Sequence, residues 1–388
     1  MRCSWFAAWV GIALAGGCTA PAPFVDDGGL DGGIGASSDA GTSADAGAPA
    51  EDAGTPDGGR RAPADASVTS LGSCDAGFAS LAAPSRCEAL EVTCEGLPPA
   101  RVELVITEPP VGTAARGVLV FGEGGAGTDF TASGRALDGG LVYREGLRRL
   151  VLSGYIVVDR RWPGGWFGQL GLGIGTPSCR YATLLRHLEQ TLSQGRPMCA
   201  TGNSGGASEL AYALTRWDGA ERLRLAVLSG GPPMASLDVG CFGDAVSSTW
   251  RQDCATEWAR TQTECPPATP PRCTLRDRPF AAAPALVDTA YATANEPRPC
   301  TAGSPTAQGA LAADSVDAPD ALTTFPRTRV RFLVGRMDCT EGPLLGMRLR
   351  RRLTSVVEER VIAGMRHPVA DTAAGVDAVV AALADCAP

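Results

Sequence analysis

The sequence is notable first for what it does not contain. None of its 388 residues is lysine, so all 34 strongly basic residues are arginine. Alanine, glycine and proline are abundant, and we therefore interpret the missing lysine as the codon bias of a G+C-rich genome. No basic tract in the sequence argues for a nucleic-acid partner.

Histidine is scarce, with two residues, and the chain has no C-x-x-C pair. Because these side chains are the usual ligands of zinc, their scarcity speaks against a metal site. We expect neither a metal nor an organic cofactor. Cysteine itself is frequent, and the twelve cysteines that follow Cys18 predict disulfide bonds in an exported chain.

The apolar run at the N-terminus, residues 5–15, is too short to span a membrane stably. Arg2 precedes it and small residues follow, so residues 1–18 are predicted to be a signal peptide. Two cleavage sites compete. Ala13-Leu14-Ala15 suits ordinary signal peptidase, whereas residues 15–18 (Ala-Gly-Gly-Cys) resemble a lipobox in which Cys18 is lipidated. Lipidated Cys18 would anchor the exported protein to a membrane surface.

Residues 19–70 contain almost no large apolar side chains and consist mainly of Gly, Ala, Asp, Ser, Thr and Pro. Such a composition offers little to offset the entropy of ordering, so we predict a disordered acidic linker. The segment has nine acidic and two basic residues, a net charge of −7 against −8 for the whole chain. The remainder, residues 71–388, is therefore nearly neutral.

After residue 70, eight strand-like segments alternate with five helical ones. The first two strands are expected to be antiparallel. The alternation then predicts a mostly parallel, doubly wound α/β sheet flanked by helices. The pattern breaks at residues 232–325, which are rich in Cys and Pro. We interpret this segment, called the insertion below, as a lid over one end of the sheet.

Ser204 lies in the sequence Gly202-Asn203-Ser204-Gly205-Gly206, between a buried strand and an amphipathic helix. A G-x-S-x-G motif in this setting is typical of a nucleophile elbow, a turn so tight that flanking side chains would collide. The motif alone is a weak signal, because glycine-rich turns with a passive serine are common. The strand–turn–helix context favours Ser204 as a nucleophile, with the backbone N–H of Gly205 as an oxyanion donor.

A serine nucleophile needs a base, and the two histidines are the candidates. His187 lies within a helical segment and is interpreted as a packing or surface residue. His367 follows the last predicted strand, where an α/β site collects its groups. We therefore predict His367 as the base.

The acid that orients the imidazole is predicted to be Asp338, in the loop after the preceding strand. Glu341 in the same loop and Asp238 after an earlier strand are the alternatives. The resulting order is Ser204, Asp338 and His367, which is the order expected for an α/β-hydrolase.

Residues 90–386 resemble the α/β-hydrolase family, which implies that fold and a serine esterase or lipase activity. The resemblance covers several motifs in order. They are VLVFGEGGAG (an oxyanion loop), VVDRRWPGG (the Asp-x-Arg-Gly-x-Gly stretch, through Asp159 and Arg161), GNSGGA (the elbow), VGRMD (the acid loop) and GMRH (the histidine loop).

The oxyanion loop departs from the family pattern. The family often has His-Gly before the oxyanion residue, and Phe121-Gly122 stands here instead. That alignment implies the N–H of Glu123 as the second donor, whereas the glycine-rich alternative points to Gly124. A carboxylate beside an oxyanion is unfavourable, so the Glu123 side chain is expected to face away.

These features predict an exported serine hydrolase acting on a small-molecule or polymer carboxylic ester. A peptidase or an acyltransferase on the same fold is the alternative within the family. A non-catalytic surface-binding protein on a hydrolase scaffold is the alternative outside enzymes.

Overall fold

The computed structural model describes residues 62–75, 81, 84–133, 141–167, 171–243, 247–267 and 283–387. The predicted signal peptide, Cys18 and most of the predicted linker lie outside the described residues.

Within these described ranges, nine strands form one sheet in the order β1-β2-β3-β5-β4-β6-β7-β8-β9. The strands β1 to β3 pair antiparallel, β3 pairs antiparallel with β5, and all further neighbours from β5 to β9 are parallel. Their bounds are Ser67–Ser73 (β1), Ser85–Thr93 (β2), Ala100–Thr107 (β3), Gly117–Gly122 (β4), Tyr155–Arg161 (β5), Met198–Asn203 (β6), Leu225–Ser229 (β7), Arg329–Met337 (β8) and Val357–Arg366 (β9).

The first strand was not anticipated. Ser67–Ser73 is polar, almost wholly exposed and paired with β2 at the edge of the sheet. Its first four residues, 67–70, fall within the predicted linker, so the folded part of the chain starts earlier than the composition suggested. An edge strand of small polar residues has no period-2 apolar pattern by which it could be recognised.

The central strands are buried on both faces, as the continuous apolar runs predicted. In β4, Val118 and Val120 belong to one core cluster, while Leu119 and Phe121 belong to the other. Alternate side chains point to opposite faces of a strand, so the sheet divides two hydrophobic cores. The predicted α/β-hydrolase fold, a mostly parallel sheet flanked by helices, is confirmed.

The helices α2 and α3 contribute to the first core, and α1 and α10 contribute to the second. The helix bounds are Leu141–Leu152 (α1), Cys179–Leu188 (α2), Gly205–Arg216 (α3), Gly219–Arg222 (α4), Leu237–Phe242 (α5), Trp250–Thr261 (α6), Ala283–Tyr291 (α7), Pro305–Asp314 (α8), Gly342–Arg352 (α9) and Ala373–Leu383 (α10). Among the described residues, no helix is long and apolar enough to cross a membrane.

In its described residues, the insertion between β7 and β8 contains helices α5 to α8. An apolar cavity of about 30 Å³ lies between the insertion and the residues that follow the acid loop. The cavity is lined from the insertion by Met234, Leu237 and Val287, and from the acid-loop side by Glu341 and Leu345.

Disulfide bonding is confirmed for the described cysteines. Five bonds join Cys74–Cys87, Cys94–Cys179, Cys199–Cys386, Cys241–Cys300 and Cys265–Cys339. Cys254 is disulfide-bonded as well. The bond Cys199–Cys386 ties the central strand β6 to the C-terminus across 187 residues. In the chain-entropy account, closing a loop of that length stabilises the fold by about 5 kcal/mol.

Candidate active site

Ser204 forms the turn between β6 and α3. Its backbone has φ +51° and ψ −116°, a strained conformation for a residue with a side chain. The N–H of Ser204 donates to the carbonyl of Ser229 at the end of β7, 2.8 Å away, which holds the turn in place. The geometry is that of the predicted elbow.

The glycines around Ser204 are there for steric reasons. A Cβ atom at Gly202 would collide with the carbonyl of Gly206, and one at Gly205 would collide with the carbonyl of Gly125 in the loop after β4. The turn therefore packs backbone against backbone, and this brings the loop after β4 against the serine.

His367 follows directly after β9, and its imidazole lies between Ser204 and Asp338. Its Nε2 is 2.8 Å from the Oγ of Ser204. Its Nδ1 is 3.1 Å from both carboxylate oxygens of Asp338. With Nδ1 protonated towards Asp338, the lone pair of Nε2 faces the serine hydroxyl. The structure thus brings the three predicted catalytic residues together in one hydrogen-bonded chain.

The pKa of His367 is raised above the ordinary value of 6.5. Burial of the ring acts to lower this pKa, because it disfavours the charged imidazolium. The charge and hydrogen bond of Asp338, followed by the charges of Glu341 and Glu123, outweigh it. These neighbouring carboxylates would therefore stabilise an imidazolium formed at His367 during a reaction.

Thr340 joins this chain and was not anticipated. Its Oγ1 donates to the Oδ1 of Asp338 at 2.7 Å and lies 3.0 Å from the Nδ1 of His367. The backbone N–H of Thr340 also donates to Asp338 Oδ1, at 3.2 Å. An Asp side chain often accepts a hydrogen bond from the backbone N–H two residues later, which forms an Asx turn. The spacing of Asp338 and Thr340 was therefore a sequence signal for this contact.

The alternative acids are placed differently. Asp338 is fully buried and hydrogen-bonded to His367. Glu341, the residue before α9, is also buried, and its charge raises the pKa of His367 less than Asp338 does. Asp238 heads α5 in the insertion, where burial raises its own pKa. The geometry favours Asp338 over both.

His187 lies away from this site. It faces a groove between α2 and the β1–β2 edge of the sheet, together with Arg86 and Glu88. Burial lowers its pKa, and the charge of Glu88 opposes that effect. The prediction of a packing or surface histidine agrees with this placement.

Two of the three predicted oxyanion donors, Gly205 and Gly124, lie beside Ser204. Gly205 is the first residue of α3, so its N–H lies at a helix N-terminus. Gly124 packs on the serine, since a Cβ atom built there would lie 3.4 Å from the Cβ of Ser204. Glu123 is half-buried, and its charge acts on both His367 and Tyr143. The Glu123 side chain was expected to face away from the site, but its charge is close enough to act on the base.

A buried ion pair lies under the oxyanion loop, and sequence reasoning missed it. The guanidinium of Arg160, at the end of β5, pairs with Glu209 of α3, and both side chains are fully buried. A Cβ atom at Gly122 would collide with this guanidinium. The indole N–H of Trp162 donates to Glu209 at 2.8 Å, and Arg160 stacks on the ring of Tyr181.

Asp159 and Arg161, the two residues that carry the resemblance to the Asp-x-Arg-Gly-x-Gly stretch, have other partners. Asp159 accepts hydrogen bonds from the backbone N–H groups of Thr131 and Ala132 at 2.9 and 2.8 Å, and burial raises its pKa to about 6. Arg161 pairs with Glu103 near the surface. The basic residue beneath the oxyanion loop is therefore Arg160. A charged residue inside an apolar strand was the signal that could have found it.

The described residues include no group of three or more His, Cys, Asp or Glu side chains placed to bind a metal ion.

A scan against protein-family models finds no match, and no curated protein matches the sequence. Several solved structures are similar in arrangement. Brefeldin A esterase, a bacterial homologue of human hormone sensitive lipase, aligns with a TM-score of 0.46 and 14% identity, over 87% of this chain and 80% of that one. A carboxyl esterase from Bacillus coagulans aligns with a TM-score of 0.44 and 13% identity, over 77% and 97%. Dienelactone hydrolase from Anabaena variabilis gives 0.40 and 12%, over 78% and 99%. A function for this chain must therefore follow from its own residues.

Proposed function

We propose that this protein is a serine hydrolase that cleaves carboxylic esters through an acyl-enzyme. One observation carries the proposal. The strained Ser204 is hydrogen-bonded to His367, which is hydrogen-bonded to the buried Asp338. A nucleophile, a base and an orienting acid in this geometry are the requirements for acyl transfer to serine.

In the first step, Nε2 of His367 removes the proton from the Oγ of Ser204 as the oxygen attacks the ester carbonyl carbon. The carbonyl π electrons move to oxygen and form an oxyanion. Asp338 keeps the Nδ1 proton on the far side of the ring and stabilises the imidazolium without taking that proton. The raised pKa of His367 suits this transient positive charge.

Backbone N–H groups would hold the oxyanion. Gly205 supplies one from the N-terminus of α3, and Glu123 or Gly124 supplies the other from the loop after β4. Such donors are preorganised and need no rearrangement as charge develops. The buried Arg160–Glu209 pair supports the same loop from below.

The tetrahedral intermediate collapses when the His367 imidazolium gives its proton to the leaving alkoxide, which departs as an alcohol. Water then attacks the acyl-serine while His367 takes a proton from it. The collapse of the second intermediate releases the carboxylic acid and restores the hydroxyl of Ser204. Thr340 would hold the carboxylate of Asp338 throughout as a positioning residue.

A fluorophosphonate probe tests the assignment. It should label the wild-type protein and fail to label Ser204→Ala or His367→Gln. The two histidines supply a matched control, because His187→Gln should label at the wild-type rate. Labelling of Ser204→Ala at the wild-type rate, or no labelling of the wild type, would refute the nucleophile.

A substrate panel tests the reaction class. Esters that vary in acyl length and alcohol size should be hydrolysed, while a matched peptide amide should be much slower. Faster cleavage of the amide would make the protein a peptidase. Acyl transfer to an added alcohol in preference to water would make it an acyltransferase. Failure on every substrate together with no labelling would leave the binding-protein alternative.

We also propose that the chain is exported and anchored through Cys18. The disulfides among the described cysteines support an oxidising compartment. Growth with a labelled fatty acid should label the wild type and not Cys18→Ala. Secreted, unlabelled wild-type protein beginning near residue 16 would instead identify cleavage by ordinary signal peptidase.

A further inference from the structure

The C-terminal end of α6 lies against both loops of the site. This segment, residues 262–265, belongs to the insertion. It follows Thr261, the last residue of the helix, and it is called the α6 end below. Its contacts reach the acid loop after β8 and the end of β9 that leads into His367.

Gln262 makes the contact to the acid loop from inside the protein. Its side chain is 2% exposed. Its amide Nε2 donates to the backbone carbonyl of Asp338 and to that of Thr340, the second at 2.7 Å. One buried amide thus holds the backbone on both sides of Cys339.

A covalent bond joins the same two segments. Cys265 forms a disulfide with Cys339, which lies between Asp338 and Thr340. The acid loop is therefore fixed to the insertion at three consecutive residues, twice by hydrogen bonds and once by a bond between sulfur atoms.

Glu264 extends the contact to the strand of the base. Its carboxylate accepts a hydrogen bond from the backbone N–H of Gly364 at 2.8 Å, three residues before His367. Its own N–H donates to the carbonyl of Arg336 at the end of β8, at 3.0 Å. The α6 end therefore bridges the strands that carry Asp338 and His367.

We propose that the α6 end is a positioning element that sets the distance and orientation between Asp338 and His367. The role in catalysis rests on the proposed hydrolase function. The physical reason is that loops at strand ends are mobile unless held, and catalytic groups tolerate little displacement. By this proposal the insertion acts on the chemistry itself, through Gln262 and the Cys265–Cys339 disulfide.

The test compares two pairs of cysteine substitutions in the full chain. Cys265→Ala with Cys339→Ala removes the covalent part of the proposed element and leaves Gln262 and Glu264 in the chain. Cys94→Ala with Cys179→Ala is the matched control, because its disulfide closes a loop of similar length, 85 residues against 74, and lies next to β2, towards the opposite edge of the sheet from β8 and β9. Both variants should lose thermal stability, so stability does not separate them.

Two readouts separate them. In the Cys265/Cys339 variant we expect kcat on an ester to fall about tenfold or more while KM changes little, because positioning acts in the transition state. The pKa of His367, followed by NMR of the imidazole, should fall because a displaced Asp338 raises it less. The control should keep both values. Equal kcat and equal His367 pKa in the two variants would overturn the proposal.

A second variant covers the case in which the cysteine variant does not fold. Gln262→Leu keeps the disulfide and removes the donated hydrogen bonds, with Gln252→Leu on the exposed face of α6 as its control. The first should lower the pKa of His367 and the second should not. Identical pKa values would overturn the proposal. The chain has two histidines, so His187→Gln assigns the signals. This NMR measurement needs no turnover, and failure of the hydrolase proposal would be seen separately in the fluorophosphonate labelling.

Discussion

Thr340 offers the sharpest test of how the acid is held. Its hydroxyl makes the shortest hydrogen bond to Oδ1 of Asp338, at 2.7 Å, and lies 3.0 Å from Nδ1 of His367. Thr340→Val removes the hydroxyl and keeps the branched shape of the side chain. Thr340→Ser keeps the hydroxyl and removes a methyl group, so the two variants separate hydrogen bonding from packing.

The expected loss follows from the partner's charge. A hydrogen bond to a charged group contributes about 1.5–3 kcal/mol. If this contribution is lost from the transition state alone, kcat falls by about 10- to 150-fold, at 1.36 kcal/mol for each factor of ten. The backbone N–H of Thr340 still binds Asp338 in the variant, so we expect a value near the lower end.

The assay is ester hydrolysis under saturating substrate, with the rate of fluorophosphonate labelling as a second measure. Thr340→Ser should stay within about threefold of the wild type, since it retains the donor. Wild-type kcat in Thr340→Val would refute the positioning role. A loss in Thr340→Ser as large as in Thr340→Val would show that packing of the methyl group matters instead.

Three further outcomes are expected. The base must be neutral to act, so kcat/KM should rise with pH through a midpoint above 6.5, the ordinary value for histidine, because the pKa of His367 is raised; a midpoint below 6.5 would contradict this. Gly205→Ala should abolish labelling and lower the melting temperature, because its Cβ collides with the carbonyl of Gly125; a fully active variant would show that the loop packs differently. Burial raises the pKa of Glu209 to about 7, so Glu209→Gln is best compared with the wild type at about pH 8. It leaves Arg160 buried without its counter-charge and should cost about 3–5 kcal/mol in urea unfolding, whereas a cost under about 1 kcal/mol would be inconsistent with a buried ion pair.

Much of the architecture could be read from local pattern. Central strands such as β4 are apolar throughout because both faces are buried, and the helices between them show apolar stripes. The position of Ser204 in a tight turn could also be predicted, since a strand, a glycine-flanked serine and a helix follow one another directly. The edge strand β1 could not be predicted from the sequence, because polar residues exposed on both faces carry no periodic apolar pattern.

The candidate site divides in the same way. Ser204, Asp338 and His367 each follow a predicted strand, and parallel strands place their carboxyl ends at one edge of a sheet. That rule brings the three loops near one another without specifying any contact. The choice of Asp338 over Glu341 depends on which carboxylate comes within hydrogen-bond distance of Nδ1 of His367. Asp338 does so at 3.1 Å, and only the tertiary structure shows this.

The sequence by itself therefore determined the order of strands β2 to β9 and of the helices α1, α2, α3, α9 and α10, the elbow, and a short list of acid and base candidates, because these depend on neighbouring residues along the chain. Only the tertiary structure decided the pairing of the cysteines, the ion pair of Arg160 with Glu209 and the hold of Gln262 on the acid loop. Gln262 and Asp338 are 76 residues apart, and Cys265 and Cys339 are 74 apart. Contacts across such separations depend on how the insertion folds back over the sheet, and no local pattern encodes that path.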